Sequence, residues 1–247
     1  MPLTPAKLLE SLSKRGLAGT AKYSITAATD ALLWHLDSWY DRVHHVDTSG
    51  KIAMADVKVA SANAALATWY EPAPNSCFRQ LIQQLPIDFS DYVFIDYGSG
   101  KGRVLFMAAE HPFNRVIGVE FAPELHEVAL RNIQTYRSRN QRCHAIESVC
   151  MDAVDFELPP QPAVLFFYSP FNATILSRIL DRVEASLREH PRSLYLLYLG
   201  VLAEPIALLM NSGLKCKEVK LRRDYLRGVI KRGFIGHSGV PTPRPSR

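Results

Sequence analysis

From Tyr92 onward the 247-residue chain repeats one pattern, a short apolar run followed by a stretch with helical spacing. The runs are VFIDYG (93–98), RVIGVE (115–120), IESVC (146–150), AVLFFY (163–168) and LYLLYL (194–199). RVLFMAAEH, ELHEVALRNIQTYR and ATILSRILDRVEASLREH lie between most of them. Short runs of β-branched and aromatic residues that are apolar at nearly every position read as strands covered on both faces. Strand and helix in alternation need crossovers, and these are right-handed. The pattern predicts an α/β fold, a Rossmann-like doubly wound sheet that is mostly parallel. LKCKEVKL and YLRGVIKRGFI add two strands joined by a turn, an antiparallel edge pair, for seven in all.

Ahead of the sheet the reading is an N-terminal helical extension or lid, residues 1–70. LLESLSKRGLAG is an amphipathic helix, either a docking helix or part of an acid-poor transit peptide. A second helix is expected from Ile25 to Tyr40 with Ser24 as its cap, broken by DRVHHVDTSGK. His44 and His45 are adjacent, so they point to different sides of a regular element and make a poor chelate. The Ala-rich run 51–69 reads as helix or irregular chain. Pro72 and Pro74 hold an extended segment, after which Asn75 or Ser76 caps the helix CFRQLIQQL. Residues 71–235 then form the sheet domain and 236–247 a flexible tail.

Net charge is +5, yet the segment from Lys215 to Arg232 holds eight Lys/Arg against two acids, so the rest sums to about −1. Such a run either holds nucleic acid or an acidic protein, or is a solvated edge. The four cysteines show no C-x-x-C pairing and no zinc-type spacing, which points away from a metal site and towards a reduced, cytoplasmic setting. The longest uncharged window, 158–177, contains four prolines and is no membrane span, and the N-terminus lacks the apolar core of a secretory signal.

Three glycines, Gly98, Gly100 and Gly102, follow the first strand of the sheet. In doubly wound sheets ligands bind at the carboxyl ends of the strands, so DYGSGKG stands where a ligand belongs. A Walker loop needs four residues between its first glycine and Gly-Lys-Ser/Thr, and neither Gly98 nor Gly100 stands at that distance from Gly100-Lys101. A dinucleotide loop needs a third glycine where this chain has Arg103, which disfavours NAD and FAD.

With Asp96 the pattern is D-x-G-x-G-x-G, which resembles the first motif of class I S-adenosylmethionine-dependent methyltransferases. The resemblance spans about residues 70–220. It implies S-adenosyl-L-methionine as cofactor, with Gly98, Ser99 and Gly100 around its amino-acid end. Asp96 either favours the ammonium or caps the loop. Glu120, at the end of the next strand, accepts from the ribose hydroxyls, and Phe121 follows it. Asp152 accepts from the adenine amino group, with Met151 or Ala153 against the ring, and Tyr168 completes the set. Ser169, Pro170 and Phe171 stand where amine-methylating relatives carry N/D/S-P-P-Y/F, as a shortened form. Tyr70-Glu71-Pro72 is similar to a segment of bacterial methyltransferase-domain proteins, which sets Tyr70 over the cofactor or in the core.

The implied activity is methyl transfer to nitrogen or oxygen of a small-molecule or protein acceptor. Positioning and desolvation carry most of such a rate, so a base is dispensable; Glu71 and His126 are the candidates if one exists. The alternatives are a non-catalytic cofactor-binding protein and a nucleic-acid methyltransferase using the segment 215–232.

Overall fold

Every expected apolar run forms a strand in the computed structural model, which describes residues 12–14, 16–21, 24–25, 38–53, 69–168, 171–221 and 232–241. The segment before the sheet contributes a short antiparallel pair, β1 (Ile52–Ala53) with β2 (Trp69–Tyr70). Strands β3 (Val93–Tyr97), β4 (Arg115–Glu120), β5 (Ile146–Cys150), β6 (Ala163–Tyr168) and β7 (Leu194–Gly200) are mutually parallel. The C-terminal pair, β8 (Lys217–Val219) and β9 (Arg232–His237), completes the sheet in the order β5-β4-β3-β6-β7-β9-β8. The antiparallel strand β9 lies between β7 and β8, one place in from the edge.

Strand order reverses between β4-β3 and β3-β6, and chain alternation fills the two faces differently. Val93, Ile95 and Tyr97 face a core built with helices α4 (Ala173–Glu189) and α5 (Ala203–Met210). Phe94 faces the opposite core, with α1 (Asn75–Ile82) and α2 (Arg103–Ala109). Asp96 shares Phe94's parity and is therefore an acid at a position that is otherwise core. Helix α3 (Pro123–Thr135) crosses from β4 to β5, with Pro123 at its first turn, where a missing N–H costs nothing.

Several local expectations are corrected. The helix reaching Tyr40 continues to His44, and the break comes at His45, which adopts φ 58°. Asp41 supplies the reason: its carboxylate accepts from the backbone N–H groups of Thr48 and Ser49, so the chain must turn back to meet it. Asn75 and Ser76 do not cap α1. Pro74, fixed at φ −65° with extended ψ 124°, is the N-cap residue, its carbonyl taking the N–H groups of Cys77 and Phe78, so Asn75 opens the helix. The sheet also runs past residue 235: Gly236 and His237 belong to β9, and Ser238 bonds both Leu194 and Arg192. The segments 26–37, 54–68 and 222–231 lie outside the described residues.

Gly118, midway along β4, sits directly under the glycine loop. A Cβ there would stand 2.6 Å from Ser99 Oγ and 2.9 Å from Leu105 Cδ1. Gly118→Ala should therefore destabilise the fold by about 1–3 kcal/mol through overpacking. Thermal unfolding measures this as a fall of roughly 2–4 °C for each kcal/mol.

Candidate functional site

The bend after β3 is made by three residues with positive φ, Gly98 (76°), Gly100 (53°) and Gly102 (91°). An ordinary L residue would be strained at each. The bend is held against the end of β4: the N–H groups of Gly98 and Ser99 donate to Val119 O at 2.9 and 3.1 Å, and Gly100 N–H donates to Glu120 Oε2 at 2.7 Å. The other Glu120 oxygen accepts from Ala122 N–H at 2.9 Å. These backbone donors lock the orientation of the carboxylate.

Asp96 and Glu120 are 2% and 3% exposed, two acids at neighbouring strand ends with little water. Burial, aided by the charge on Glu120, pushes the Asp96 carboxyl well above the usual carboxylate range. Burial also raises Glu120, against the pull of the Ala122, Gly100 and Phe121 backbone N–H groups.

Around these acids lies a cleft lined by the loop residues Gly98, Ser99 and Gly100 and, on the strand ends, by Phe121 and Tyr168. Tyr70, Glu71, Pro72 and Ala73 cover it, and Phe171 borders it. Tyr70 packs closely on the loop, so that a Cβ at Gly100 would collide with the edge of its ring. The space left is about 70 Å³, well under the roughly 300–1,000 Å³ usual for small-molecule sites. A nucleoside needs this roof raised.

Asp152 and Ala153 are not part of that lining. Asp152 Oδ1 accepts from Val154 N–H at the turn after β5, and Ala153 is buried against the α4/α5 core. Ser169 and Pro170 lie outside the described residues. Of the two candidate bases, Glu71 borders the cleft and pairs with Lys51 at 3.7 Å, whereas His126 bonds Ser148 Oγ on the α3/β5 side. Among the described residues no group of His, Cys, Asp and Glu converges as a metal site, and no helix is long and apolar enough to cross a membrane.

Arg103, Val104 and Leu125 also line the cleft and were not expected there. Arg103 is 3% exposed. Its Nε donates to Thr48 Oγ1 at 2.6 Å and its Nη2 to Asp41 Oδ1 at 3.1 Å, while its guanidinium sits over the Tyr40 ring. Thr48 Oγ1 in turn donates to Asp41 Oδ1 at 2.6 Å. Lys101 bonds Asp47 and Ser49 O, and Asn132 accepts from Asp47 N–H and donates to the carbonyls of Asp47 and Lys101. Residues 40–49 are thereby clamped onto the back of the glycine loop. The sequence signal was Arg103 itself, a cation directly after the glycines, but its partner stands 62 positions away.

No family model matches the chain, and no curated protein matches it. Solved structures do. A predicted N6-adenine-specific DNA methylase from Listeria monocytogenes is 13% identical with a TM-score of 0.50, over 69% of this chain and 52% of that one. A SAM-dependent methyltransferase from Leishmania major gives 14% and 0.49, over 66% and 70%. An RNA methyltransferase from Salinibacter ruber, solved with S-adenosyl-L-homocysteine, gives 17% and 0.46, over 71% and 97%. At these identities the likeness is one of fold. The sheet is Rossmann-like and doubly wound, with one antiparallel strand.

A carboxyl whose pKa is raised on folding stabilises the protein below its unfolded pKa, and that contribution is lost as pH rises through the folded value. Asp96 is such a group. Asp96→Asn should therefore raise the melting temperature at pH 7–8, and the gain should shrink towards pH 4, where the wild-type side chain is itself protonated. Thermal melts of both proteins across that range give the comparison.

Proposed function

We propose that the protein is an S-adenosyl-L-methionine-dependent methyltransferase acting on nitrogen or oxygen of a small-molecule or protein acceptor. The observation that carries this reading is the Glu120 carboxylate, buried at the end of β4, fixed by the N–H groups of Gly100 and Ala122 and bordering the cleft. A fixed carboxylate at that place suits a vicinal diol, as a ribose presents. The glycine bend between Asp96 and Gly102 lets the amino-acid end of the cofactor approach the backbone closely, and Asp96 gives its ammonium a counter-charge. Phe121 offers an apolar face for the adenine. Asp152, one strand further on, is in this reading the acceptor for the adenine amino group.

The cofactor, when bound, supplies a methyl group on a positively charged sulfur. The chain's part is to orient, to exclude water and to hold the acceptor in line, which together supply most of such a rate enhancement. Phe171 borders the cleft, and with Ser169 and Pro170, the residues before it in the chain, it is assigned to the acceptor. Glu71, at the mouth, is the group able to take a proton from it. Among the described residues, the cleft lining carries the acids Glu71, Asp96 and Glu120 against one cation, Arg103, which is itself paired with Asp41; this disfavours acceptors that bring negative charge close to the sulfur and supports a neutral or cationic acceptor over a phosphate-rich one.

Calorimetric titration with S-adenosyl-L-homocysteine tests the cofactor, and tritiated methyl transfer to a panel of amines, alcohols and peptides tests the activity. Glu120→Ala should lower cofactor affinity by more than a hundredfold, since two charge-assisted bonds are worth about 1.5–3 kcal/mol each. Wild-type binding without turnover on any acceptor would favour a non-catalytic binding protein. Because burial raises the Asp96 carboxyl and a neighbouring cation favours its ionised form, S-adenosyl-L-methionine binding should release protons. Titrations in buffers of different ionisation enthalpy detect that release.

A further inference from the structure

We propose that Asp41 is a positioning residue for the cleft, acting through Thr48 on both its floor and its roof. The floor is the glycine loop, and the helix that leaves it begins at Arg103. Arg103 is tied to Thr48 Oγ1 and to Asp41 Oδ1 in a buried cluster. The roof is Tyr70, whose hydroxyl donates to Thr48 O at 2.6 Å in a buried bond. One residue, Thr48, thus meets the floor with its side chain and the roof with its carbonyl. Asp41 holds Thr48 by two bonds, from its backbone N–H at 2.9 Å and from its hydroxyl at 2.6 Å. Lys101, within the loop, makes a second tie to the same segment through Asp47 and Ser49 O, and its ammonium stands 5.8 Å from the centre of the Tyr70 ring.

The physical consequence is a shared registration. The bend is shaped by three positive-φ glycines, which impose little conformational preference of their own. It therefore takes its exact position from what grips it: Val119 and Glu120 on the sheet side, and the Asp41 cluster on the outer side. Raising Tyr70 to admit a nucleoside pulls on Thr48, and Thr48 is, with Asp41, a contact that holds Arg103. The segment 38–49, which contributes no strand to the main sheet, is in this account a working part of the site. The inference builds on the cofactor reading above, but its first readout does not need the cofactor.

Amide hydrogen exchange of the unliganded protein separates the two. In Asp41→Asn, exchange at the Gly98, Ser99, Gly100 and Gly102 amides should rise about tenfold or more while the amides of β3, β4 and β6 keep their protection. Thr48→Val, which keeps shape and carbonyl, should do the same to a smaller degree and serves if Asp41→Asn does not fold. Arg192→Lys, at the other end of the sheet where Arg192 bonds Gln161 O, Ser186 and His190 O, should lower the melting temperature without selective loosening of the loop. Affinity for S-adenosyl-L-homocysteine should fall about five- to twentyfold in Asp41→Asn and in Tyr70→Phe. The double variant should lose less than the product of the two by at least about threefold, the mark of a shared contact. Loop exchange unchanged in folded Asp41→Asn and Thr48→Val, or affinity losses that simply multiply, overturns the proposal. A wild-type protein that ignores S-adenosyl-L-homocysteine while its loop still responds overturns the cofactor reading instead.

Discussion

Three backbone donors in succession, Gly98, Ser99 and Gly100, bond to the last two residues of β4. This carries the parallel β3-β4 ladder beyond the end of β3 and turns it into a binding loop. Parallel pairing alone brings Asp96 opposite Gly118, leaving Glu120 two residues further along at the tip. The glycine bend then closes over that tip, so Glu120 is both a ligand-facing acid and a structural acceptor. Removing the glycines would not merely relax a turn; it would take away the reason the carboxylate faces inward. Gly118 belongs to the same arrangement, because the loop lies against it with no room for a side chain.

The site is electrostatically expensive. Two acids at neighbouring strand ends, nearly dry, with Asp96 at a core-facing position, are not what a sheet optimised for stability would carry. Burial raises the proton affinity of both. A cationic ligand lowers that cost, as do hydroxyl donors such as a diol, and an anionic ligand does not. The narrowness of the cleft beneath Tyr70 limits how much water reaches these groups.

The sheet was legible because its signals are local. Five apolar runs, each five or six residues long and mostly separated by helical spacing, leave few alternatives, and all five are strands of the expected kind. Asp96, the glycines and Glu120 were legible for the same reason: they sit at strand ends, whose position follows from the strands. What lay beyond reach was set by distance or by competition. Asp41 and Arg103 meet only in three dimensions, and nothing near Asp41 marks it as the acceptor for a guanidinium. Asn75 looked like a cap until Pro74, with its fixed φ, took the position. That Asp152, standing after β5, accepts from the Val154 N–H two residues on is a choice that no spacing rule distinguishes. The tail boundary failed because Ser238 is tied by side-chain bonds that composition does not reveal.

The partition at residue 70 follows composition, but the guanidinium of Arg103 disregards it. Trimming the chain to the sheet alone would strand a permanent positive charge in the interior with its carboxylate gone, a loss of several kcal/mol in comparable buried pairs. The region before the sheet is thus less an appendage than a keystone. Any attempt to isolate a minimal core from this chain has to begin upstream of Tyr40, or else supply that charge with a new counterpart.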